Sequence, residues 1–358
     1  TQRGRRRPVP RTGAAGLKRI LILCTCLLAA CGAPPRPSVG EIPGTTGRDD
    51  VRVALQVAVA EAGFNAPDGA RWTGGGSSGS LSPAPCVVRV YNGRIQLDQA
   101  GRTTDLGPGP VRVTTSGEWL VGGDRFGGDL IAQRAKWGGI TLVNLVDLEL
   151  YLRGVVPWEI GRPEDAALEA VKAQAIAART YTIRHLGRWE ELGFDVYSDV
   201  RDQVYRGLTG TAPITDRAVR ETRGLIVGYG SELVRAYYSS TCGGHTSTLT
   251  DVWDREGAPY LLGFRDADDR GRSWCSKSPH YRWTEGWSAR ELGGVLRSYL
   301  GDELDEELSP REFGVLQGLS VLERDRSGRV SRLQVRTDRG EWVVRGDRIR
   351  WALRPVHS

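Results

Sequence analysis

One carboxylate in the sequence, Glu159, has surroundings that suit acid catalysis. It directly follows Val156-Pro157-Trp158, so bulky apolar side chains and a proline-broken corner are expected around it. Such surroundings remove water from a carboxyl and raise its pKa, and a general acid working near neutral pH needs a raised pKa. From composition alone, a helix-capping or surface glutamate is the commoner explanation, so the pattern leaves both open.

Two further stretches carry side chains that could bind a sugar. Lys172 and Arg179 are seven residues apart on a predicted helix and share one face. They could present donors to a sugar or hold one carboxylate, although a solvated polar face is the commoner use of such spacing. Gln203 and Tyr205 point the same way on an extended segment. An amide and an aromatic ring suit a saccharide, but ordinary sheet packing also explains Tyr205.

A cysteine and histidine pattern follows the hydroxyl-rich stretch 238–246. Cys242, His245, Cys275 and His280 form C-x2-H and C-x4-H pairs, which are compatible with a tetrahedral zinc site. In an exported protein the same two cysteines also favour a disulfide. Both alternatives stay open at this point, and Cys86 has no assigned role.

The N-terminus predicts export. Residues 1–30 hold seven basic and no acidic residues, and a short apolar run from Ile20 to Ala30 precedes Cys31. This is the layout of a secretion signal, and the run is too short to cross a bilayer. Leu28-Ala29-Ala30-Cys31 resembles the bacterial lipobox, which predicts cleavage before Cys31 and lipid attachment to it. An ordinary signal peptide with a chance cysteine is the alternative.

Charge argues against a nucleic-acid partner. The whole chain of 358 residues carries a net charge of +6. Without the seven basic residues of 1–30, 42 basic residues face 43 acidic ones, which gives a net charge near −1. No basic tract that could follow a polyanion remains.

The hydrophobic pattern predicts an α+β fold, strand-rich with a central alanine-rich helix, in one large or two intimately packed domains. After the predicted signal peptide 1–30 and a flexible tether 31–49, the globular part covers 50–358. Short strands fill 50–146, including a hairpin at Asn92-Gly93. Helices are predicted from Asp147 and from Pro163, and strands at 224–227 and 235–238. The part 147–290 would form the catalytic core and 291–358 the C-terminal part.

Taken together, these stretches resemble the SpoIID/LytB domain of sporulation protein D and the amidase enhancers. The resemblance rests on several motifs in family order between about Val51 and Leu353, and Leu148–Glu159 is the most characteristic. It implies lytic transglycosylases that cut peptidoglycan glycan strands, notably strands without stem peptides, and it places the catalytic glutamate at Glu159. It also implies a short segment beyond Ser358, so we expect the sequence to be incomplete at its ends. The other matching stretches are 170–181, 203–207, 222–225, 239–244, 252–253 and 278–283.

The resulting prediction is a membrane-anchored, extracytoplasmic enzyme that cleaves between N-acetylmuramic acid and N-acetylglucosamine and leaves a 1,6-anhydro end. Asp199 or Asp202 could supply a second carboxylate, and hydrolysis would then compete. No organic cofactor is required, and a structural zinc is compatible with the sequence. The alternatives are a non-catalytic wall-binding activator of an amidase, and a zinc-held interaction domain. The predicted glycan contacts are Lys172, Gln174, Arg179, Gln203, Tyr205 and Ser240.

Overall fold

A computed structural model describes residues 38–41, 49–253, 255–304 and 308–354. In these ranges the chain forms nineteen strands and seven α-helices, which confirms the predicted α+β class. Cys31 and the predicted signal peptide lie outside the described residues. None of the described helices is both long and apolar enough to cross a bilayer.

The largest sheet of the described chain has seven strands in the order β14-β2-β13-β12-β9-β4-β5. All neighbours are antiparallel except β14 and β2. Most residues of β13 are buried: of its eight residues, one is half-buried and one is exposed. The strands are β2 (Asp50–Val59), β4 (Ala70–Gly74), β5 (Ser77–Leu81), β9 (Val111–Thr114), β12 (Asp129–Arg134), β13 (Ile140–Asp147) and β14 (Val196–Tyr197).

A second sheet of four strands packs into the same core, in the order β3-β6-β7-β8. Asn92 and Gly93 both have positive φ, 48° and 73°, as a two-residue hairpin turn requires. The predicted hairpin is therefore confirmed. The strands are β3 (Glu61–Phe64), β6 (Cys86–Tyr91), β7 (Arg94–Gln99) and β8 (Arg102–Asp105), and β10 (Trp119–Val121) pairs with β11 (Asp124–Phe126).

Three helices pack together beside the large sheet: α1 (Leu148–Glu159), α2 (Leu168–His185) and α3 (Pro213–Glu221). Asp147 caps α1 by accepting a hydrogen bond from the backbone N–H of Leu150 at 3.0 Å. The predicted helix from Pro163 begins later, since a 3₁₀ turn at Asp165–Ala167 precedes α2. Its apolar stripe is buried as predicted, and its small alanines let α1 and α3 approach closely.

A small sheet pairs β1 (Ser38–Glu41) with β15 (Leu225–Tyr229) and β15 with β16 (Glu232–Leu233). Part of the predicted tether 31–49 is therefore a paired strand. The strand predicted at 235–238 is wrong: the backbone N–H of Arg235 donates to the hydroxyl of Tyr260 instead of to a neighbouring strand.

The C-terminal part has its own apolar core. Its three strands lie in the order β17-β18-β19, and a helix packs on β17. Helix α4 (Leu249–Val252) lies before this part, whose elements are α5 (Ala289–Tyr299), α6 (Pro310–Phe313), β17 (Leu316–Arg324), β18 (Val330–Thr337), β19 (Glu341–Arg345) and α7 (Arg348–Leu353).

Candidate active site at the end of helix α1

Glu159 is the last residue of α1, and its carboxyl is partly buried. The backbone N–H of Val204 donates to Oε1 of Glu159 at 2.9 Å. Burial raises the pKa of Glu159 above its ordinary value of 4.5, and the Val204 hydrogen bond only partly offsets this. The carboxyl is therefore biased toward the protonated form that a general acid needs.

The proline before this residue does not break the helix, which corrects the expected proline-broken corner. Helix α1 continues through Pro157 to Glu159, and the N–H of Ile160 still bonds the carbonyl of Val156. Pro157 is buried in the last turn. The apolar surroundings expected for the carboxyl thus come from a helix packed into the core.

The segment 203–207 lies against α1 at Gly154. A Cβ atom at Gly154 would clash with the ring of Tyr205 and the carbonyl of Gly207. The carbonyl of Gly154 also accepts a hydrogen bond from the N–H of Arg206 at 3.3 Å. This close approach is what brings the N–H of Val204 to Glu159.

Gln203 is buried, with 1% of its surface exposed, and it links three hydroxyl groups. Its Oε1 accepts from Tyr151 at 3.2 Å and from Thr182 at 2.8 Å, and its Nε2 donates to the hydroxyl of Tyr238 at 2.9 Å. Gln203 therefore organises side chains behind Glu159 and has no surface for a glycan contact.

Tyr205 is also an internal residue. Its hydroxyl donates to Oδ1 of Asn144 at 2.7 Å, and its ring lies 4.8 Å from that of Tyr151, centroid to centroid. Only 3% of Tyr205 is exposed. The alternative explanation from sequence, structural packing, holds for this residue.

Arg179 is fully buried, so the predicted contact between this side chain and a glycan is wrong. Its guanidinium forms two 2.8 Å bonds to the carboxylate of Glu149 and donates to the carbonyl of Leu225 at 3.1 Å. A buried guanidinium is tolerated only when it is paired in this way. Arg179 thus joins α2 to α1 and to β15.

The other predicted contacts are nearer the surface. Lys172 lies 2.8 Å from carboxylate oxygens of both Glu169 and Glu221. Gln174 has a buried Nε2 with no hydrogen-bond partner among the described residues. Ser240 is exposed in the loop that follows Tyr238. These three stay predictions as glycan contacts.

Both aspartates proposed as a second carboxylate are paired with arginines. Asp202 is 1% exposed and accepts hydrogen bonds from Tyr181 at 3.0 Å and Arg188 at 2.9 Å. Asp199 is exposed but bound by the guanidinium of Arg201, which lowers its pKa. Glu159 is therefore the carboxyl whose environment suits acid catalysis.

Trp158 adds a surface feature beside Glu159. Its indole N–H donates to the carbonyl of Thr209 at 3.1 Å. The guanidinium carbons of Arg206 and Arg162 lie 4.8 and 5.2 Å from its ring centroid. Trp158 is thus a half-buried ring held by one hydrogen bond and two cation–π contacts.

The cysteine pattern assembles differently from the prediction. Cys242 Sγ lies 3.6 Å from Cys275 Sγ and 3.0 Å from Oδ2 of Asp266. These three residues form a group whose ligand atoms are mutually within 4.8 Å. His245 and His280 are not in that group: Nδ1 of His245 bonds the carbonyl of Thr246, and His280 is exposed.

The three donors fit a zinc ion better than they fit a formed disulfide. Two sulfurs bound to one tetrahedral zinc at about 2.3 Å would be about 3.8 Å apart, close to the 3.6 Å spacing, whereas a disulfide needs about 2.05 Å. Burial raises the pKa of Cys242 to about 11. For Cys275 burial is outweighed by donors from Cys242 and the backbone of Gly243 and Gly244, so its pKa is lowered. The proton is thus lost more readily from Cys275 than from Cys242.

Comparison with known proteins matches this region to a named family. Residues 136–229, which hold α1, Glu159, α2 and the 203–207 segment, match the SpoIID model, described as stage II sporulation protein. Stage II sporulation protein D of Bacillus subtilis is 32% identical over 179 residues, 46% of this chain and 48% of that protein. The chain thus carries a SpoIID domain at residues 136–229.

Two further curated proteins are similar to part of the chain. The amidase enhancer of Bacillus subtilis is 37% identical over 123 residues, 34% of this chain and 16% of that protein. An uncharacterized protein of Brachyspira hyodysenteriae is 35% identical over 161 residues, 45% of this chain and 41% of its own length. The chain thus spans less than half of these relatives. Residues 270–358 match a domain of unknown function, DUF8618, and no solved structure matches the chain.

Three residues of the site were not found from sequence. Val204 acts through its backbone, which no side-chain pattern reveals. Tyr238 opens the hydroxyl-rich stretch, but nothing marked its ring as the partner of Gln203. Asp266 stands in an aspartate-rich run, where any of several carboxylates could have joined the cysteines.

Proposed function

We propose that this protein is a lytic transglycosylase of peptidoglycan glycan strands. The family assignment and its relatives support a role in the cell wall. The observation that carries the enzymatic proposal is the environment of Glu159, a half-buried carboxyl with a raised pKa and a single backbone donor. Denuded strands are the preferred substrate in this account.

The reaction needs one carboxyl. Protonated Glu159 gives its proton to the glycosidic oxygen between N-acetylmuramic acid and N-acetylglucosamine, and the bond from that oxygen to C1 breaks. The resulting Glu159 carboxylate takes the proton of the muramic C6 hydroxyl, and the C6 oxygen forms a bond to C1. A 1,6-anhydro ring forms, and Glu159 is protonated again for the next cycle.

The surrounding carboxylates support this route over hydrolysis. Ordinary glycosidases need two carboxyl groups at a defined separation. Asp199 and Asp202 are both bound by arginines, and Asp202 is buried. These arginine pairs favour the substrate's own C6 hydroxyl as the nucleophile in this proposal.

A second candidate function is suggested by the amidase enhancer of Bacillus subtilis. In this account the protein binds the wall and stimulates an N-acetylmuramoyl-L-alanine amidase without cutting glycan. The Glu159→Gln variant separates the two functions. An enhancer would keep its full stimulation of the amidase, whereas a transglycosylase would lose turnover and keep glycan binding.

We further propose that the mature protein is a lipoprotein outside the cytoplasm, held to a membrane by lipid on Cys31. This follows from the basic, apolar and small-residue order of residues 1–31. Its partners are then peptidoglycan strands, the membrane and, for the second candidate function, a wall amidase. Labelling with a radioactive fatty acid, lost in Cys31→Ala, tests the anchor.

The transglycosylase is tested with purified denuded glycan strands. Wild-type protein and Glu159→Gln are incubated with the strands, and the products are analysed by mass spectrometry. Products ending in 1,6-anhydromuramic acid with the wild type alone support the proposal. Reducing-end products would instead mean hydrolysis, and an absence of products from folded protein would favour the enhancer.

A further inference from the structure

Tyr238 is linked to the candidate acid through the adjacent residues Gln203 and Val204, and no role yet explains its position. It precedes the exposed Ser239-Ser240 loop, and its side chain is half-buried. The ring meets that of Tyr181 edge-on, with centroids 6.5 Å apart. Its hydroxyl receives the 2.9 Å hydrogen bond from Nε2 of Gln203.

The direction of that hydrogen bond is fixed by a buried neighbour. Tyr151 is fully buried, and within the described residues its hydroxyl bonds only Gln203, at 3.2 Å. A buried O–H group needs an acceptor, and an amide accepts only through its oxygen. Oε1 of Gln203 must therefore face Tyr151, so Nε2 faces Tyr238 and donates to it.

This leaves the proton of Tyr238 unassigned. A hydroxyl has one proton to donate, and an amide N–H₂ group cannot accept it. In the described part of the chain, no other hydrogen bond involves the hydroxyl of Tyr238. Its oxygen is thus held by Gln203, and its proton has no acceptor among the described residues.

The same dipeptide places this hydroxyl near Glu159. Gln203 holds Tyr238 through its side chain, and the adjacent Val204 holds Glu159 through its backbone N–H. Burial raises the pKa of Tyr238 far above its ordinary value, and the charge of Glu159 raises it further. The raised pKa keeps Tyr238 a neutral hydroxyl donor near neutral pH.

We propose that Tyr238 donates a hydrogen bond to an acceptor oxygen of the sugar bound at Glu159. This inference rests on the proposed function, because it needs a glycan at that site. Two groups would then contact the same sugar, with Glu159 at the glycosidic oxygen and Tyr238 at a neighbouring hydroxyl or N-acetyl oxygen. Gln203 would be a positioning residue that keeps the donor turned outward.

The test compares Tyr238→Phe with Tyr237→Phe, which removes a hydroxyl from the adjacent residue. The hydroxyl of Tyr237 accepts a hydrogen bond from Arg255. Thermal melting checks that both variants fold. Loss of one substrate hydrogen bond should lower kcat/KM on denuded strands by about tenfold to a hundredfold in Tyr238→Phe, and Tyr237→Phe should match the wild type. Equal activity of all three proteins would overturn the proposal.

The pH dependence separates a substrate contact from a contact with Glu159 itself. If Tyr238 contacts the sugar, Tyr238→Phe lowers kcat/KM at every pH and does not move the limbs of the pH profile. If Tyr238 instead stabilised the Glu159 carboxylate, removing it would move the alkaline limb to higher pH. Such a shift would overturn the substrate contact.

A binding measurement keeps this inference distinct from the proposed function. The affinity for denuded strands is measured for Glu159→Gln and for Glu159→Gln combined with Tyr238→Phe. If the wild type makes no product, the transglycosylase fails, but weaker binding of the double variant would still support the contact. Equal binding of the two variants, or no glycan binding at all, would overturn it.

Discussion

The backbone N–H of Val204 donates to Oε1 of Glu159 across 45 positions of sequence, at 2.9 Å. Because the donor is a backbone N–H group, it cannot rotate away as a side chain could. It therefore holds the carboxyl in one orientation. A single neutral donor lowers the pKa of a carboxyl less than a paired arginine does. The contact therefore fixes the position of Glu159 without cancelling the effect of its burial.

The first prediction concerns pH. Glu159 must be protonated to act as the acid, and burial raises its pKa above 4.5. As pH rises through this raised value the proton is lost, so kcat/KM should fall along an alkaline limb centred above 4.5. The measurement is the initial rate of anhydro product formation across pH. A limb at or below the ordinary glutamate value would contradict the account.

The second prediction concerns the close approach at Gly154. Replacing a helical glycine with alanine ordinarily stabilises a protein by about 1 kcal/mol. At Gly154 the added Cβ would strike Tyr205 and Gly207 and displace the segment that carries Val204. Gly154→Ala should therefore lower the melting temperature and the activity.

Gly294→Ala is the matched control for this helical glycine. Gly294 lies in α5, and a Cβ there meets nothing within 4 Å. Gly294→Ala should raise the melting temperature slightly and leave activity unchanged. Two variants that shift stability in the same direction would show that the approach at Gly154 is not tight.

The third prediction concerns the buried ion pair. Arg179→Met leaves Glu149 without its partner, which should cost about 3–5 kcal/mol of unfolding free energy. Lys172→Met, four residues beyond the start of the same helix, removes surface pairs and should cost much less than Arg179→Met. Urea denaturation of both variants measures the difference. A small loss of unfolding free energy in Arg179→Met would contradict a structural role for Arg179.

The fourth prediction concerns the Cys242, Asp266 and Cys275 group. Under reducing conditions the protein should bind Co²⁺ and show the absorption of a thiolate-to-metal charge transfer, and Zn²⁺ should displace it. Cys242→Ser should lose this absorption. Cys86→Ser should keep it, because Cys86 is buried in a separate sheet. A disulfide in the purified protein, with no metal uptake after reduction, would contradict the prediction.

The sequence predicted the local elements of the site better than it predicted which of their residues are buried. The alanine-rich helix α2 and the start of a helix near Asp147 follow from spacing and side-chain chemistry, and the structure has both. Spacing placed Lys172 and Arg179 on one face of the helix. It could not show that α1 and α3 pack over Arg179. Whether a polar residue meets ligand or protein depends on which elements pack over it.

Long-range partners were beyond the sequence for a similar reason. Asp266 joins Cys242 only because a loop folds back over 24 positions. His245 and His280 have better spacing for zinc, yet the loop turns them elsewhere. Pro157 gave a misleading signal, since a proline in the last turn of a packed helix need not end it.

The most direct test of the central claim is the origin of the oxygen at the new glycan end. Denuded strands are digested in water enriched in heavy oxygen, once with wild-type protein and once with Glu159→Gln. The masses of the products are then measured by mass spectrometry. If Glu159 passes its proton and the muramic C6 hydroxyl attacks, wild-type products carry no heavy oxygen and end in the 1,6-anhydro ring, and the variant makes none. Heavy oxygen in the products would show that water is the nucleophile, and equal product from the variant would show that Glu159 is not the acid.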